Sequence, residues 1–491
     1  MPRTLHPFNV APGPKGLPIF GNALTFAKDP RLALMAWARQ YGPVVRFHLG
    51  PMVVHVVSEP RGVKHVLQTH AENYHKAPRM GFLSDFLGQS LLTMEDTPWQ
   101  RRRRLAQPSF SQGRVVSCTQ AMTAATLRMV ERWQPHLASG RAIDVNAEMM
   151  RLTLSIAGET LFGVDLSTSA AHVGQGLPVV LNHVLGRMNS VIPTPLWVPT
   201  PANRRYHATV RQLDGLVLGL IRDWRSGRVA PQGLMATLMA ARDAETGEGL
   251  TDDQLRDEVM TLIFAGHETT ASALTWAWWL LGKHPEAARR VRAEVATVLG
   301  GRTPQAGDVA RLQYTGNVIK EAMRLMPPSW VIGRMPLADD EIGGYHIPAR
   351  SMMLLASCVT HRDPALWEAP ESFDPDRFLP GRSAGRPKLA YYPFSAGPRV
   401  CIGSAFSMLE ATLIVAILAQ NFRFELDPRR EVEVECSLTL RPKHGLWMTL
   451  HPAPATGRVE LAEIPLSGDS APHECPHAAG RAPSKHKTAS A

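Results

Sequence analysis

Cys401 stands in the segment Phe394-Ser-Ala-Gly397-Pro-Arg399-Val-Cys401-Ile-Gly403, just ahead of an apolar run that reads as a helix. Free N–H groups and partial positive charge at a helix N-terminus favour a thiolate over a thiol. A thiolate held there can act as a nucleophile or as a metal ligand. A cysteine in such a place is also commonly a small core residue. The flanking glycines let backbone approach something large and flat, and Arg399 can pair with a carboxylate.

A second cluster is Ala265-Gly266-His267-Glu268-Thr269-Thr270, inside the longest apolar stretch of the chain. An acid beside a hydroxyl in a buried helix needs partners, so the pair is either a packed polar face or part of a site.

These segments resemble the cytochrome P-450 family, the haem-thiolate monooxygenases. The family's haem-binding signature, Phe-x-x-Gly-x-Arg-x-Cys-x-Gly, is met by Phe394, Gly397, Arg399, Cys401 and Gly403. Its oxygen-binding segment is met throughout residues 265–270. Glu321-Ala-Met-Arg324 is similar to the family's Glu-x-x-Arg element, a pair that alone is common on solvated helices. Phe373-Asp-Pro-Asp-Arg377-Phe378 looks like its third arginine element. Spacing of three puts Glu321 and Arg324 on one helix face, where Arg377 could close a buried ionic triad of structural role. Trp99-Gln-Arg-Arg-Arg103 is like the family's propionate-binding Trp-x-x-x-Arg pair. Arg334 and His361 resemble further propionate ligands. The elements follow the family's order, and the likeness covers roughly residues 12–450.

The resemblance implies a mainly α fold with a minor β part, and a long central buried helix over the haem. Haem b is the implied cofactor, with Cys401 as the axial ligand of its iron. Thr269 would hydrogen-bond bound dioxygen and Glu268 would relay protons, while Gly266 leaves room and Ala265 touches haem or guest. The reaction implied is insertion of one oxygen atom from O2 into a C–H bond or an alkene. The guest pocket would draw on Leu91, Leu92, Phe264, Ala265, Val331, Ile332, Leu438 and Thr439, which suits a hydrophobic small molecule. Fatty acid and terpenoid both fit, and the likeness of residues 265–270 and of the Trp99 region leans toward fatty acids. Electrons are expected from a separate ferredoxin or flavodoxin with an NAD(P)H-dependent reductase. Arg101, Arg102 and Arg104 would form a solvated basic rim for an acidic carrier. Two alternatives stay open: a non-catalytic haem-based sensor, which has no need of Glu268 and Thr269, and a peroxide-driven peroxygenase, which generally lacks that pair.

The elements that must position these residues are partly legible. Asp29 as N-cap, Pro30 at the first turn and Gly42-Pro43 as the stop predict a helix. Val44 to Leu49 and Val53 to Val57, split by Gly50-Pro51, read as a hairpin. Residues 59–312 are mostly helical in pattern, broken at Pro193 to Pro201 and at a short loop from Ala230 to Gly233. A helix over Gln254 to Leu281 is predicted to end at Gly282, and its apolar circumference makes it central. Short strands are expected at Tyr345 to Ile347 and Met352 to Ser357. A helix should follow Cys401 to about Ala419, with β structure over Glu431 to Leu450. The spans expected are a haem domain over 1–455 and a disordered tail over 456–491.

Composition excludes several classes. With 491 residues, 44% apolar and 20% charged, the chain is globular. Five cysteines without CxxC spacing support neither a disulfide framework nor a cysteine-rich zinc site. A net charge of +10 raises nucleic acid as a partner, but no binding motif accompanies the dispersed basic residues. Glu268 in the middle of residues 259–281 argues against a membrane span there. The expectation is a monomeric, cytoplasmic, bacterial-type enzyme without a membrane span. His473, Cys475 and His477 in the tail read as an adventitious metal trap.

Overall fold

Helix-end chemistry sets the frame. The Asp29 side chain accepts the Leu32 N–H at 2.9 Å and caps the helix Pro30–Tyr41. Thr251 and Gln254 form a reciprocal capping box at the start of a 32-residue helix, Asp252–Lys283. Asp252 and Asp253 lie in its first turn and Lys283 in its last, each complementing the helix dipole. Thr200 caps the helix Pro201–Arg225, and Asn203 Nδ2 donates to the Pro195 and Val198 carbonyls, fixing the proline-rich break before it. The computed structural model describes residues 9–163, 170–190, 193–228, 233–243 and 246–453. The expected loop over residues 230–232, the tail and its His473, Cys475 and His477 lie outside the described residues.

The helix Asp252–Lys283 is the axis of the molecule. Helices Val145–Ala157, Pro201–Arg225, Gln313–Leu325 and Ser404–Asn421 all pack on it. Its apolar circumference requires that crowding, because no face can be left to water. Gly282 does not end the helix, contrary to the sequence expectation. It lies inside the last turn, where a Cβ would stand 2.9 Å from Leu426 Cγ and Met448 Cε, so close packing selects glycine there. Helix Ser404–Asn421 is apolar and long enough to cross a bilayer, but most of it is buried against the other helices.

The β part sits to one side. A five-stranded sheet runs Val44–Leu49, Met52–Val57, Met352–Leu355, Ile332–Pro336 and Tyr74–Lys76. Only the Met52–Val57 and Met352–Leu355 pair is parallel. A three-stranded sheet joins Ile143–Asp144, Trp447–Pro452 and Phe422–Leu426. Val434–Cys436 and Leu440–Pro442 form a ribbon whose turn is residues 437–439. Strands 74–76 and 332–336 carry no clear alternation, which is why pattern reading passed over them; strand 422–426, Phe-Arg-Phe-Glu-Leu, does alternate but follows directly on a long apolar helix.

Candidate active site

Cys401 lies three residues ahead of the helix Ser404–Asn421, in a loop folded by the turn Gly397–Arg399. Its N–H donates to the Phe394 carbonyl at 2.9 Å. Gly397 has φ 70°, and a Cβ there would stand 1.7 Å from the Leu67 carbonyl oxygen, so no other residue fits the loop. Burial pushes the Cys401 thiol up, against the Gly403 N–H and the nearby Arg103 guanidinium, which favour the thiolate. A cation bound at the sulfur would favour the thiolate. The side chain is nevertheless accessible. Arg103 donates to the Val400 carbonyl at 3.0 Å, bracing the loop next to the sulfur.

A cationic cluster adjoins this loop. Arg399 pairs with Glu95, donates to the Met94 carbonyl and lies 4.1 Å over the Trp99 ring. Arg334, nearly buried, is held down to about 10 by burial and by Arg399. Lys76 is held down to about 7 by burial and by Arg399, with Arg334 adding to the effect. Its N–H donates to Glu95 and its Nζ to the Met94 carbonyl. Three cations thus share Glu95. Sequence reasoning missed Lys76 because a lone lysine at a strand end carries no motif.

The second half of the site is the middle of the central helix. Between Gln254 and Gly282, Ala265 alone is exposed, with Gly266 and Thr269 half-buried beside it. A Cβ on Gly266 would meet nothing within 4 Å, so this one stretch of a crowded helix borders open space. Thr269 donates to the Ala265 carbonyl at 2.9 Å. Glu268 is buried; its Oε1 accepts from Thr439 Oγ1 at 2.7 Å and its Oε2 has no partner. His267 bonds the Ile263 carbonyl, and burial keeps it below the usual histidine range. Thr270 meets Ser407 at 3.0 Å.

Of the proposed guest-lining residues, Phe264 and Thr439 are buried, while Leu91, Leu92, Val331, Ile332 and Leu438 are half-buried. The Leu91 N–H binds Glu258 of the central helix at 2.9 Å, and Thr439 reaches Glu268 on the same helix. The ionic triad is closed and dry. Arg324 donates to both Glu321 oxygens at 2.7 and 2.8 Å, and Arg377 Nε reaches Glu321 Oε1 at 3.1 Å. Both arginines also bind loop carbonyls, including Pro370, Ala369 and Ser372.

Two expectations need correction. His361 is not with the cationic cluster: its Nε2 accepts the Tyr392 N–H at 3.0 Å, its carbonyl accepts from Arg324, and burial holds it near 3. It couples the triad to the irregular segment before Phe394. Arg101 and Arg102 do not form a free basic rim. Arg102 is buried and paired with Glu258 at 2.8 Å, and Arg101 binds Asp243 and Glu248. A run of like charges in the sequence gave no sign that acids from distant segments would meet it.

The profile of the family described as Cytochrome P450 matches residues 11–448. The chain belongs to the cytochrome P450 family. Its similarity extends along most of the chain to proteins of Streptomyces. It is 38% identical over 439 residues to cyclooctatin synthase of Streptomyces melanosporofaciens, covering 88% of this chain and 94% of that one. It is 34% identical to cyclooctat-9-en-7-ol 5-monooxygenase of the same organism, covering 86% and 91%. To pentalenene oxygenase of Streptomyces avermitilis it is 31% identical, covering 87% and 94%. The protein is an oxidoreductase of the P450 monooxygenase type, and its family implies a haem-thiolate cofactor.

The residues fit that group. An accessible cysteine, a helix stretch whose exposed residue is Ala265 with Gly266 and Thr269 half-buried beside it, and a surplus of partly buried cations are what an iron porphyrin with two carboxylates requires. In this P450, Cys401 would hold the iron, and Lys76, Arg334 and Arg399 with Trp99 would hold the propionates.

Proposed function

We propose that this P450 oxidises a cyclic terpenoid with O2, using haem b held by Cys401 and electrons from a separate ferredoxin or flavodoxin with its NAD(P)H-dependent reductase. The bound haem would supply dioxygen activation, placing one oxygen atom in a C–H bond or alkene and the other in water. Thr269 is accessible and can turn its hydroxyl from the Ala265 carbonyl to donate into the open space. Glu268, with one oxygen free of protein partners, can hold and pass a proton. Phe264, Leu438 and Val331 supply apolar surface that excludes water around the guest.

The observation that carries the substrate class is the kinship with proteins named for cyclooctat-9-en-7-ol and pentalenene. It shifts the preference from the fatty acid favoured on sequence to the terpenoid. The test is a titration of purified holoprotein with cyclic terpene hydrocarbons, their alcohols and fatty acids, following the haem spin state. Cyclic terpenoids should give the low-to-high-spin change and, with surrogate carriers, a product heavier by one oxygen. A spin change with fatty acids alone overturns the assignment. Product formed only with added peroxide, never with O2 and reductant, makes the protein a peroxygenase.

A further inference from the structure

The Glu268 carboxyl is held from outside its own helix. Glu268 Oε1 accepts from Thr439 Oγ1 at 2.7 Å, both side chains are buried, and Glu268 Oε2 has no protein partner. Thr439 belongs to the turn of the Val434–Cys436 and Leu440–Pro442 ribbon. That turn is fixed independently of Glu268. The Ser437 N–H binds the Thr439 carbonyl at 3.1 Å, Trp330 Nε1 donates to the Ser437 carbonyl at 2.9 Å, and the Leu440 N–H binds the Pro328 carbonyl at 3.1 Å. Trp276 Nε1, on the central helix, donates to the Leu440 carbonyl at 2.9 Å. Residues 268 and 276 are eight apart, about 12 Å along the axis. The turn is therefore tied to the helix at two points, and the threonine hydroxyl is placed by backbone bonds.

We propose that Thr439 is a positioning residue for Glu268: it holds one carboxyl oxygen, fixes the rotamer, and so leaves the second oxygen to handle the proton. The proposal rests on the monooxygenase reading of Glu268 and Thr269. A buried carboxylate oxygen without a donor is costly, so the bond persists unless something replaces it. Its neighbour Leu438 is on the guest's side of that reading, so the turn that a guest touches is the turn that holds the acid. Proton delivery is then sensitive to what fills the pocket, without any contact between guest and carboxyl.

The experiment compares Thr439→Val, which removes the hydroxyl at constant shape, with Thr439→Ser, which keeps the hydroxyl and loses the methyl. Thr269→Ala runs in parallel. Holoenzyme with surrogate ferredoxin and reductase, and with the cyclic terpene alcohol that gives the largest spin change in the parent as guest, is scored for peroxide released per NADPH consumed and for the spin change itself. At saturating guest, Thr439→Val is expected to raise the peroxide fraction several-fold, and Thr439→Ser to raise it clearly less than Thr439→Val. An unchanged peroxide fraction in Thr439→Val beside a raised one in Thr269→Ala overturns the positioning role and leaves the site reading standing. Unchanged fractions in both overturn both. Serine as uncoupled as valine overturns the proposal too, since shape rather than the hydroxyl is then at work. Infrared difference spectra give a readout independent of turnover and of valine's tolerance. The carboxyl band lost in Glu268→Gln should shift in Thr439→Val and Thr439→Ala and hold in Thr439→Ser; a band that does not move in valine or alanine overturns the proposal.

Discussion

Lys76 and Arg334 stand directly opposite each other on adjacent antiparallel strands. Like charges in that relation repel; burial first and Arg399 second push both side chains toward their neutral forms, and Arg334 adds to the effect on Lys76. The arrangement is tolerable when anions occupy it, and haem propionates would supply two. Arg334→Leu and Lys76→Met should each speed haem loss to a haem-free acceptor protein by about tenfold, the equivalent of ~1.4 kcal/mol. Haem transfer at the parent rate would remove these residues from the propionate site.

Glu321 offers the largest effect on folding. It sits with no exposure between two buried arginines, and its removal leaves both cations unpaired. Breaking a buried ionic cluster in this way costs about 3–5 kcal/mol. Glu321→Gln is expected to lower the urea midpoint sharply and to abolish haem incorporation in most of the expressed protein. A midpoint near the parent's would show the triad to be dispensable.

Thr269 should behave in the opposite sense. Its hydroxyl makes one bond within its own helix, so Thr269→Ala should stay within about 0.5 kcal/mol of the parent in unfolding. Coupling of electrons to product should drop, with peroxide appearing in its place. Full coupling in the variant would take Thr269 out of the chemistry.

Buried histidines contribute to the acid limit of stability, His55 and His361 among them. Burial lowers His55 to about 4, with Arg46, His346 and His48 adding to it, and lowers His361 to about 3, with Arg324 and Arg362 adding. The unfolded chain protonates each near 6.5, so between 6.5 and about 4 unfolding takes up protons. Stability should be flat in these terms above 6.5 and fall below it by about 1.4 kcal/mol per pH unit for each histidine. His55→Leu, at a site where neither ring nitrogen has a partner, should remove the His55 contribution. Urea midpoints between pH 4.5 and 8 measure it; identical slopes in parent and variant would refute the assignment.

Gly397→Ala forces a methyl onto the Leu67 carbonyl. The cysteine loop must then move, and the red-shifted ferrous carbon monoxide band should be lost. Retention of that band would mean the loop has slack.

Legibility in the sequence followed the range of the interactions. The Asp29 cap and the hairpin after it were readable because a few neighbouring residues decide them. Glu321, Arg324 and Arg377 were readable through spacing within segments, given the family likeness. What escaped was set by partners far along the chain. Thr439 meets Glu268 across 171 positions, and Arg102 meets Glu258 across 156. Gly282 was misread for the same reason: glycine near a helix end signals a stop, but here it answers to Leu426 and Met448.

The stretch 265–269 falls near the midpoint of a rod of 32 residues, about 48 Å from tip to tip. Neither tip's dipole charge reaches it, and no channel runs down a helix axis. Traffic of fuel, oxidant and finished molecule must therefore pass sideways between flanking segments. How fast the catalyst clears itself for another round depends on how readily those neighbours part.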